Sequence, residues 1–343
     1  MDEQDLKTIT PREYMADFLD RVEEHSIRGI ELKYPDYTKP AIDWASYQAE
    51  IWQEFNSKDP QTIDEVIPVI QSGIDKLDDG HSCLMRSSFS NDFDKNTQMQ
   101  SKHPTSKGEL IHRNIGYLKI PKEMPTSEDE AKNLSHLLRQ ELVRLDRQNL
   151  KGWVIDLRCH IGGGMYGGLS ALWPLIKDYG VTGHFVPKEN DYWEQNLILA
   201  HDERFKHEGY VLRNKAAPIS VLYGADTASA GEAIAVAFRG LSHVKSFGVE
   251  TRGMTTGNVT LPLPDGRLFA LASCVYADRH DHVYGAKLQP DYVVENMPQP
   301  VMNEDDNFDF PEGYDVTFDP AVIMASRWIQ QYAQAMSPGF NLK

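Results

Sequence analysis

The stretch Asp226-Thr227-Ala228-Ser229-Ala230-Gly231-Glu232 joins two short apolar runs. The run before it, residues 219–223, is brief, contains β-branched residues and follows a proline, which is typical of a buried strand. The run after it, residues 233–238, is rich in alanine and predicts a buried helix, because alanine is a good helix former. Ser229 is therefore expected where a strand turns into a helix.

A serine at that position can be a nucleophile. Backbone N–H groups in the first turn of a helix lack partners within the helix, and the helix dipole adds partial positive charge there. They can hold an oxyanion while the serine oxygen attacks a carbonyl group. The alternative is that Ser229 only caps the helix or fills a tight turn, and this stretch alone leaves both open.

The composition excludes several classes of protein. The chain has 343 residues and a net charge of −16, which argues against binding to nucleic acid or to an anionic membrane. No apolar run approaches the ~18–20 residues that span a bilayer, so no transmembrane segment is expected. The three cysteines, Cys83, Cys159 and Cys274, make neither a metal spacing nor a disulfide framework, and are interpreted as small core residues.

The N-terminal residues 1–5 are acidic, and no apolar segment follows them. As written, the sequence predicts a cytoplasmic protein; if an N-terminal signal was removed, a periplasmic or extracytoplasmic location is expected instead. The sequence does not indicate an oligomeric state.

The chain is predicted to have three parts. Residues 1–100 form an N-terminal helical cap domain, with capping boxes at Thr10 and Thr62 and a proline, Pro68, that should kink or delay the third helix. Residues 101–300 form the core, and residues 301–343 form an acidic linker and a C-terminal helix.

The core pattern alternates strands with helices. Strands are predicted at residues 114–120, 152–158 and 244–250, and the order strand–helix–strand implies βαβ units. Residues 162–164 are three glycines, but they lack the spacing of a dinucleotide site and the lysine of a P-loop. A glycine turn that exposes backbone N–H groups suits an oxyanion hole better. Residues 180–217 show no clear period.

Two further signals are weak by themselves. The loop at residues 278–282 carries two histidines that flank Asp281, but it has no helical metal-binding spacing, so neither a metal nor another cofactor is expected. His81 follows Gly80, a plausible helix stop, and without other context it is an ordinary turn histidine.

Together, five segments resemble a known family. The chain is similar to the carboxy-terminal processing (tail-specific) serine peptidases, whose relatives include the tricorn core and the nisin-resistance protein. The resemblance implies an α/β (α+β) fold with a crotonase/ClpP-like ββα core under the helical cap. The segments are Asp79-Gly80-His81-Ser82, similar to D-G-H-[ST]; residues 115–120, similar to I-G-Y-[IL]-x-I; residues 156–163, similar to D-L-R-x-N-x-G-G; residues 227–232, similar to T-A-S-[AS]-x-E; and residues 263–266 with 290–291, similar to L-P-D-G and P-D.

The chain departs from the processing peptidases in two ways. Too few residues separate residues 84 and 114 for the PDZ domain that those peptidases usually carry there. Their Ser–Lys dyad takes its lysine from a T-x-G-K-G-x-V-Q turn, and in a gapless register from Thr251 this chain has Met254 at the lysine and Asn258 at the glutamine. A thioether cannot accept a proton from serine, so another base is needed.

The tricorn and nisin-resistance branches imply that base, because they use a histidine at the D-G-H position. His81 then becomes the candidate general base for Ser229, since an imidazole titrates near neutrality. The oxyanion hole would be the backbone N–H of Ala230 with that of Gly162 or Gly163.

The identity of the third catalytic residue, beside Ser229 and His81, stays open. Glu232 lies one helical turn after Ser229, so its carboxylate either reaches the same cleft or only favours the helix N-terminus. Asp281 is the other candidate for orienting the histidine. Ser82 resembles an accessory hydroxyl of the tricorn type, and it fits a turn residue equally well.

The predicted function is a serine peptidase that hydrolyses peptide bonds through an acyl-enzyme. Its partner is a peptide or an unfolded protein, which would add as a strand along an exposed sheet edge. Two alternatives stay open: a non-catalytic ligand- or peptide-binding protein on the same fold, and a small-molecule esterase or amidase.

Overall fold

We describe a computed structural model that covers residues 9–33, 38–85, 106–123, 127–176, 182–185, 194–197, 210–280, 282–303 and 308–336. The chain divides into two compact units. The first consists of Met1–Gln100, His184–Glu194 and Thr256–Val275, and the second of Ser101–Gly183, Gln195–Thr255 and Tyr276–Lys343. Asp281 and most of residues 180–209 lie outside the described residues.

The regular elements are numbered in chain order. Short 3₁₀ turns cover Ile27–Gly29 and Val316–Phe318. The α-helices are α1 (Pro11–His25), α2 (Trp44–Lys58), α3 (Ile63–Leu77), α4 (Glu128–Asp146), α5 (Tyr166–Ile176), α6 (Ala230–Ala237) and α7 (Pro320–Ala335). The strands are β1 (Leu32–Lys33), β2 (Thr38–Lys39), β3 (Cys83–Leu84), β4 (Lys107–Ile111), β5 (Ile115–Lys119), β6 (Gly152–Asp156), β7 (Thr182–Phe185), β8 (Glu194–Leu197), β9 (Ile219–Tyr223), β10 (Val244–Gly248), β11 (Thr256–Pro262), β12 (Leu268–Ala277), β13 (Val283–Tyr284), β14 (Tyr292–Val293), β15 (Val301–Met302) and β16 (Phe308–Asp309).

The second unit is built on a six-stranded sheet. Its strand order is β14-β10-β9-β6-β5-β4, and every pair is parallel except β4 with β5. Every residue of β6 and β9 is buried, as expected for parallel strands that are covered on both faces. The predicted alternation of strands and helices is confirmed, and the fold is α/β.

Alternate residues of β6 face the two helical layers. Trp153 and Ile155 belong to the apolar cluster that includes residues of α4, α5 and α6. Val154 belongs to the cluster that includes residues of α7. The sheet therefore lies between α4–α6 on one face and α7 on the other.

A buried ion pair ties α7 to the end of β6. The Arg158 guanidinium bonds to Asp156 at 2.6 Å and to Asp319 at 2.7 Å, and all three side chains are inaccessible to solvent. Asp319 is also the N-cap of α7, since its other carboxylate oxygen accepts the N–H groups of Ala321 and Val322. Removing one partner would leave a buried charge unpaired, so this position is sensitive to substitution.

The first unit packs helices on a hairpin. Residues of α1, α2 and α3 share one apolar core with four hairpin side chains, Leu261, Leu263, Phe269 and Leu271. Residues 263–267 form the turn of this hairpin: β11 and β12 are antiparallel, and Leu263 N–H donates to the carbonyl of Arg267.

Most predictions about single residues in the first unit are confirmed. Thr10 and Thr62 each form a complete capping box, with Glu13 and Glu65 respectively. Pro68 lies inside α3 and does not delay its start. Cys83 is exposed, so its interpretation as a core residue is wrong. It lies in the short strand β3, in which Leu84 and not Cys83 packs against the apolar core.

A membrane-spanning helix is absent from the part of the chain that the structure describes. Within those same residues, no cluster of His, Cys, Asp and Glu side chains is arranged to hold a metal ion.

Candidate active site

Ser229 lies at the predicted junction of strand and helix in the second unit. Strand β9 ends at Tyr223, and α6 begins at Ala230. Thr227 braces the intervening turn, because its hydroxyl donates to the carbonyl of Leu157 and accepts from the N–H of Gly224, both at 3.0 Å. The turn is thereby fixed to the end of β6.

The backbone of Ser229 adopts an unusual conformation. Its φ is +50° and its ψ is −114°, a backbone conformation that residues other than glycine rarely adopt. Ala228 and Ala230 are buried, whereas Ser229 is partly exposed. A serine on a sharp, strained turn between strand and helix is the geometry that presents a nucleophile at the edge of an α/β sheet.

Glu232 holds this turn from inside the protein. Its carboxylate is fully buried and accepts the N–H of Ser229 and the N–H of Gly253, both at 2.9 Å. It also accepts the hydroxyl of Thr251 and a backbone bond from Met254. Burial raises the pKa of Glu232, and these donors oppose that rise by stabilising the anion.

The glycine loop lies directly beside Ser229. A Cβ placed on Gly162, whose φ is +122°, would lie 3.5 Å from the Cβ of Ser229. The carbonyl of His160 accepts the N–H of Ala228, and a Cβ on Gly231 would lie only 2.4 Å from that same carbonyl oxygen. Gly231 is therefore required for the close approach of α6 to the loop.

Two backbone N–H groups in this region are the predicted donors to an oxyanion. Among the described residues, neither the N–H of Ala230 nor that of Gly162 makes a hydrogen bond. Gly163 lies one residue further on, with a φ of +105°, and pairs with Glu123. The structure therefore brings together Ser229, Ala230 and Gly162 from the predicted site, with Glu232 behind them.

His160 is a buried residue that the sequence analysis did not select. Its side chain has no exposed surface, and within the described residues neither ring nitrogen has a hydrogen-bond partner. Burial, with a smaller contribution from the Lys122 charge, lowers its pKa to about 4. His160 occupies the position at which the similar family segment, D-L-R-x-N-x-G-G, has asparagine. This difference was the feature of the sequence that could have drawn attention to His160.

His81 lies in the first unit, between α3 and β3. Its backbone N–H donates to Asp79 Oδ1 at 2.8 Å, and its carbonyl accepts from Asn258 Nδ2 at 3.2 Å. Its ring Nδ1 lies 2.7 Å from Thr256 Oγ1. Burial lowers the pKa of His81, while the Asp79 charge and a bond to the Thr256 backbone act in the opposite direction.

The hydroxyl of Ser82 makes hydrogen bonds within the first unit. Its hydroxyl donates to Asp79 Oδ2 at 2.6 Å and accepts the N–H of Ala272 at 2.9 Å. Of the two interpretations of Ser82, these contacts favour the turn residue.

Two contacts of His81 were not predicted. Thr256 and Asn258 follow Met254 in the segment that aligns with the lysine turn of the processing peptidases. A gapless register showed that this segment lacks the base, but it did not show that its side chains turn to His81. Asp281, the other predicted orienting residue, lies outside the described residues.

The fold and the Ser229 turn are those of an α/β peptidase, and the comparisons give the family. The family model described as Peptidase family S41 matches residues 114–294, which is more than half of the chain. The chain belongs to this family and is a serine-type peptidase. The match includes Ser229, Ala230 and Gly162, whereas His81 lies before it.

Named relatives agree with this family. The nisin-resistance protein of Lactococcus lactis subsp. lactis is 28% identical over 236 residues, which cover 68% of this chain and 71% of that protein. A carboxy-terminal-processing protease of Bartonella bacilliformis is 25% identical over 208 residues, covering 60% of this chain and 43% of that protein. The predicted resemblance is confirmed.

Solved structures share the fold. A lipoprotein from Streptococcus agalactiae superimposes with a TM-score of 0.69 at 21% identity, covering 86% of this chain and 95% of the other. The photosystem II D1 C-terminal processing protease gives a TM-score of 0.57 at 12% identity, covering 84% of this chain and 94% of the other.

Proposed function

We propose that this peptidase cleaves peptide bonds through an acyl-enzyme formed on Ser229. The observation that carries the proposal is the backbone of Ser229, held at φ +50° at the N-terminus of α6. Beside it lie the N–H groups of Ala230 and Gly162, which have no hydrogen-bond partner within the described part of the chain. A tetrahedral oxyanion formed at Ser229 needs two such donors, and fixed donors cost no reorganisation during the reaction.

Hydrolysis of the peptide bond proceeds in two steps, acylation of Ser229 and hydrolysis of the acyl-enzyme. Ser229 Oγ attacks the scissile carbonyl carbon, its proton passes to a base, and the C–N bond breaks as that proton moves to the leaving amine. Water then attacks the acyl ester, gives a proton to the same base, and the proton returns to Oγ as the carboxylic acid leaves. The net change is the hydrolysis of one peptide bond.

His81 is the proposed base. An imidazole with a pKa below its usual range is neutral at pH 7 and can accept the serine proton. Met254, at the position of the lysine in the similar processing peptidases, cannot take this role because a thioether is not a base at that pH.

Glu232 is proposed to position the site. Its carboxylate accepts donors from Ser229 and from the turn at residues 251–254, so its bonds fix the nucleophile's backbone. The sequence position allowed two roles for Glu232, a carboxylate in the catalytic cleft or a charge that favours the helix N-terminus. These contacts support the second role.

The proposed substrate is a peptide or an unfolded protein that binds in an extended form. Backbone hydrogen bonds to a sheet edge would supply most of the binding, so a flexible polypeptide is favoured over a folded one.

Digestion of fluorescein-labelled unfolded casein tests the proposal. We expect the wild type and Ser242→Ala, a matched exposed serine in the same unit, to release fluorescent peptides, and Ser229→Ala to release none. Digestion by Ser229→Ala at the wild-type rate would exclude Ser229 as the nucleophile. No release by the wild type would contradict an activity on unfolded polypeptides.

A further inference from the structure

We propose that Thr256 is the positioning residue of His81, the role that a carboxylate has in a Ser-His-Asp triad. The inference rests on the proposed function, because it explains how His81 is prepared as the base. The geometry that carries it is the 2.7 Å contact between His81 Nδ1 and Thr256 Oγ1, both within the first unit.

The contact selects one tautomer of the ring. A hydroxyl can donate or accept a hydrogen bond, and the proposal assigns the acceptor role to Thr256 Oγ1 and the donor role to the His81 ring. The proton therefore lies on Nδ1, facing Thr256. Nε2 then keeps its lone pair, which is the state that a general base for serine requires.

The carboxylate of Asp79, whose charge acts on His81, is occupied by other donors. Asp79 Oδ1 accepts the backbone N–H groups of His81 and Ser82, at 2.8 and 2.7 Å. Asp79 Oδ2 accepts the hydroxyl of Ser82 at 2.6 Å. Asp79 thus shapes the loop and acts on the ring through its charge, whereas Thr256 is the side chain that, among the described residues, lies within hydrogen-bond distance of the ring.

The strand keeps Thr256 in place. Thr256 is the first residue of β11, pairs with Val275 of β12 and is 7% exposed. A buried β-branched side chain has few rotamers, so its hydroxyl stays aimed at the ring. Asn258, just past the bulge at Gly257/Asn258, holds the His81 carbonyl, so the same strand fixes both the ring and the backbone of His81.

Substitutions at Thr256 separate its hydroxyl from its shape. Thr256→Val keeps the β-branched shape and removes the hydroxyl, Thr256→Ser keeps the hydroxyl, and Thr260→Val repeats the first change at an exposed position of the same strand. We expect Thr256→Val to lower the rate constant of labelling by a fluorophosphonate probe about 10- to 100-fold, the effect of one hydrogen bond to a charged group. Thr256→Ser should recover most of the rate, and Thr260→Val should match the wild type.

The pH profile adds a readout that a purely structural role would not change. Removal of the Thr256 acceptor destabilises the imidazolium, so the acid limb of the rate profile should move to lower pH in Thr256→Val. A wild-type rate together with an unmoved acid limb in this variant would overturn the proposal.

A spectroscopic measurement decides the proposal even without activity. In ¹⁵N-histidine-labelled full-length protein, with His81 assigned by comparison with His81→Gln, we expect the Nδ1–H tautomer in the wild type and its loss in Thr256→Val. An Nε2–H tautomer in the wild type would overturn the proposal. If the wild type is not labelled at Ser229, the proposed function fails, and the tautomer alone then tests the role of Thr256.

Discussion

At the scale of single residues, Ser229 stores backbone strain in the turn that presents it. A residue other than glycine in such a region costs on the order of 1–3 kcal/mol, and the surrounding bonds must hold it there. Three hydrogen bonds supply that restraint. Ser229 N–H donates to Glu232, the carbonyl of Ser229 accepts the N–H of Ala233, and the hydroxyl of Thr227 holds the turn against the carbonyl of Leu157. This strain lies at the residue that the proposed chemistry uses.

Replacement of Ser229 by glycine should release this strain. We expect Ser229→Gly to have a free energy of unfolding about 1 kcal/mol above that of Ser229→Ala, because glycine adopts a φ of +50° without steric cost. Urea denaturation of the two inactive variants measures the difference. A higher stability for Ser229→Ala would contradict the strained conformation.

His160 should make the fold sensitive to acid. Its pKa is about 4 in the folded protein and ordinarily near 6.5, so between these values the unfolded chain binds a proton that the folded chain does not. The free energy of unfolding should therefore fall by up to ~3 kcal/mol as the pH drops from 6.5 to 4, and should not change above 6.5 from this cause. His160→Asn should lose this dependence.

The comparison of His160→Asn with the wild type must be made at each pH. Burial raises the pKa of Glu123 to about 7, and the effect of this shift on the pH dependence of stability is opposite to that of His160. The contribution of Glu123 to the free energy of unfolding falls as the pH rises from about 4.5 to 7. The difference between the two proteins isolates His160. Equal pH slopes between 4 and 6.5 would show that His160 is not buried in its neutral form.

At the scale of elements, the packing of α6 against the glycine loop depends on Gly231. In a helix, a change from glycine to alanine usually stabilises by roughly 0.5–1 kcal/mol. Here the added methyl group would lie 2.4 Å from the carbonyl oxygen of His160, so we expect Gly231→Ala to destabilise by about 1–3 kcal/mol instead. Thermal unfolding gives the sign, and a raised melting temperature would refute the close contact.

Sequence patterns predicted the elements that carry Ser229, because strand and helix formation at residues 219–238 depends on neighbouring residues. The same patterns did not predict that His81 contacts Thr256. These residues lie on elements far apart along the chain, and their contact depends on how β11 folds back toward the loop after α3. The role of Glu232 also stayed open, since spacing placed its side chain near Ser229 but did not show which donors it accepts.

At the scale of the whole molecule, the two units are interleaved along the chain. The hairpin β11–β12 comes late in the sequence but shares one core with α1, α2 and α3. A change in composition near residue 100 can suggest a boundary, but it cannot assign a later hairpin to an earlier core, because alternating apolar residues fit any sheet. The predicted boundaries at residues 100 and 300 therefore stay predictions.

His81 is proposed to activate Ser229, and the rate of labelling by a fluorophosphonate probe reports that activation. The wild type and His136→Ala, a matched exposed histidine on α4, should be labelled at Ser229 at the same rate. His81→Ala should be labelled about 10⁴-fold more slowly, as expected when a serine loses its base. Modification of another residue in the wild type would exclude Ser229 as the nucleophile, and an undiminished rate at Ser229 in His81→Ala would exclude His81 as its base.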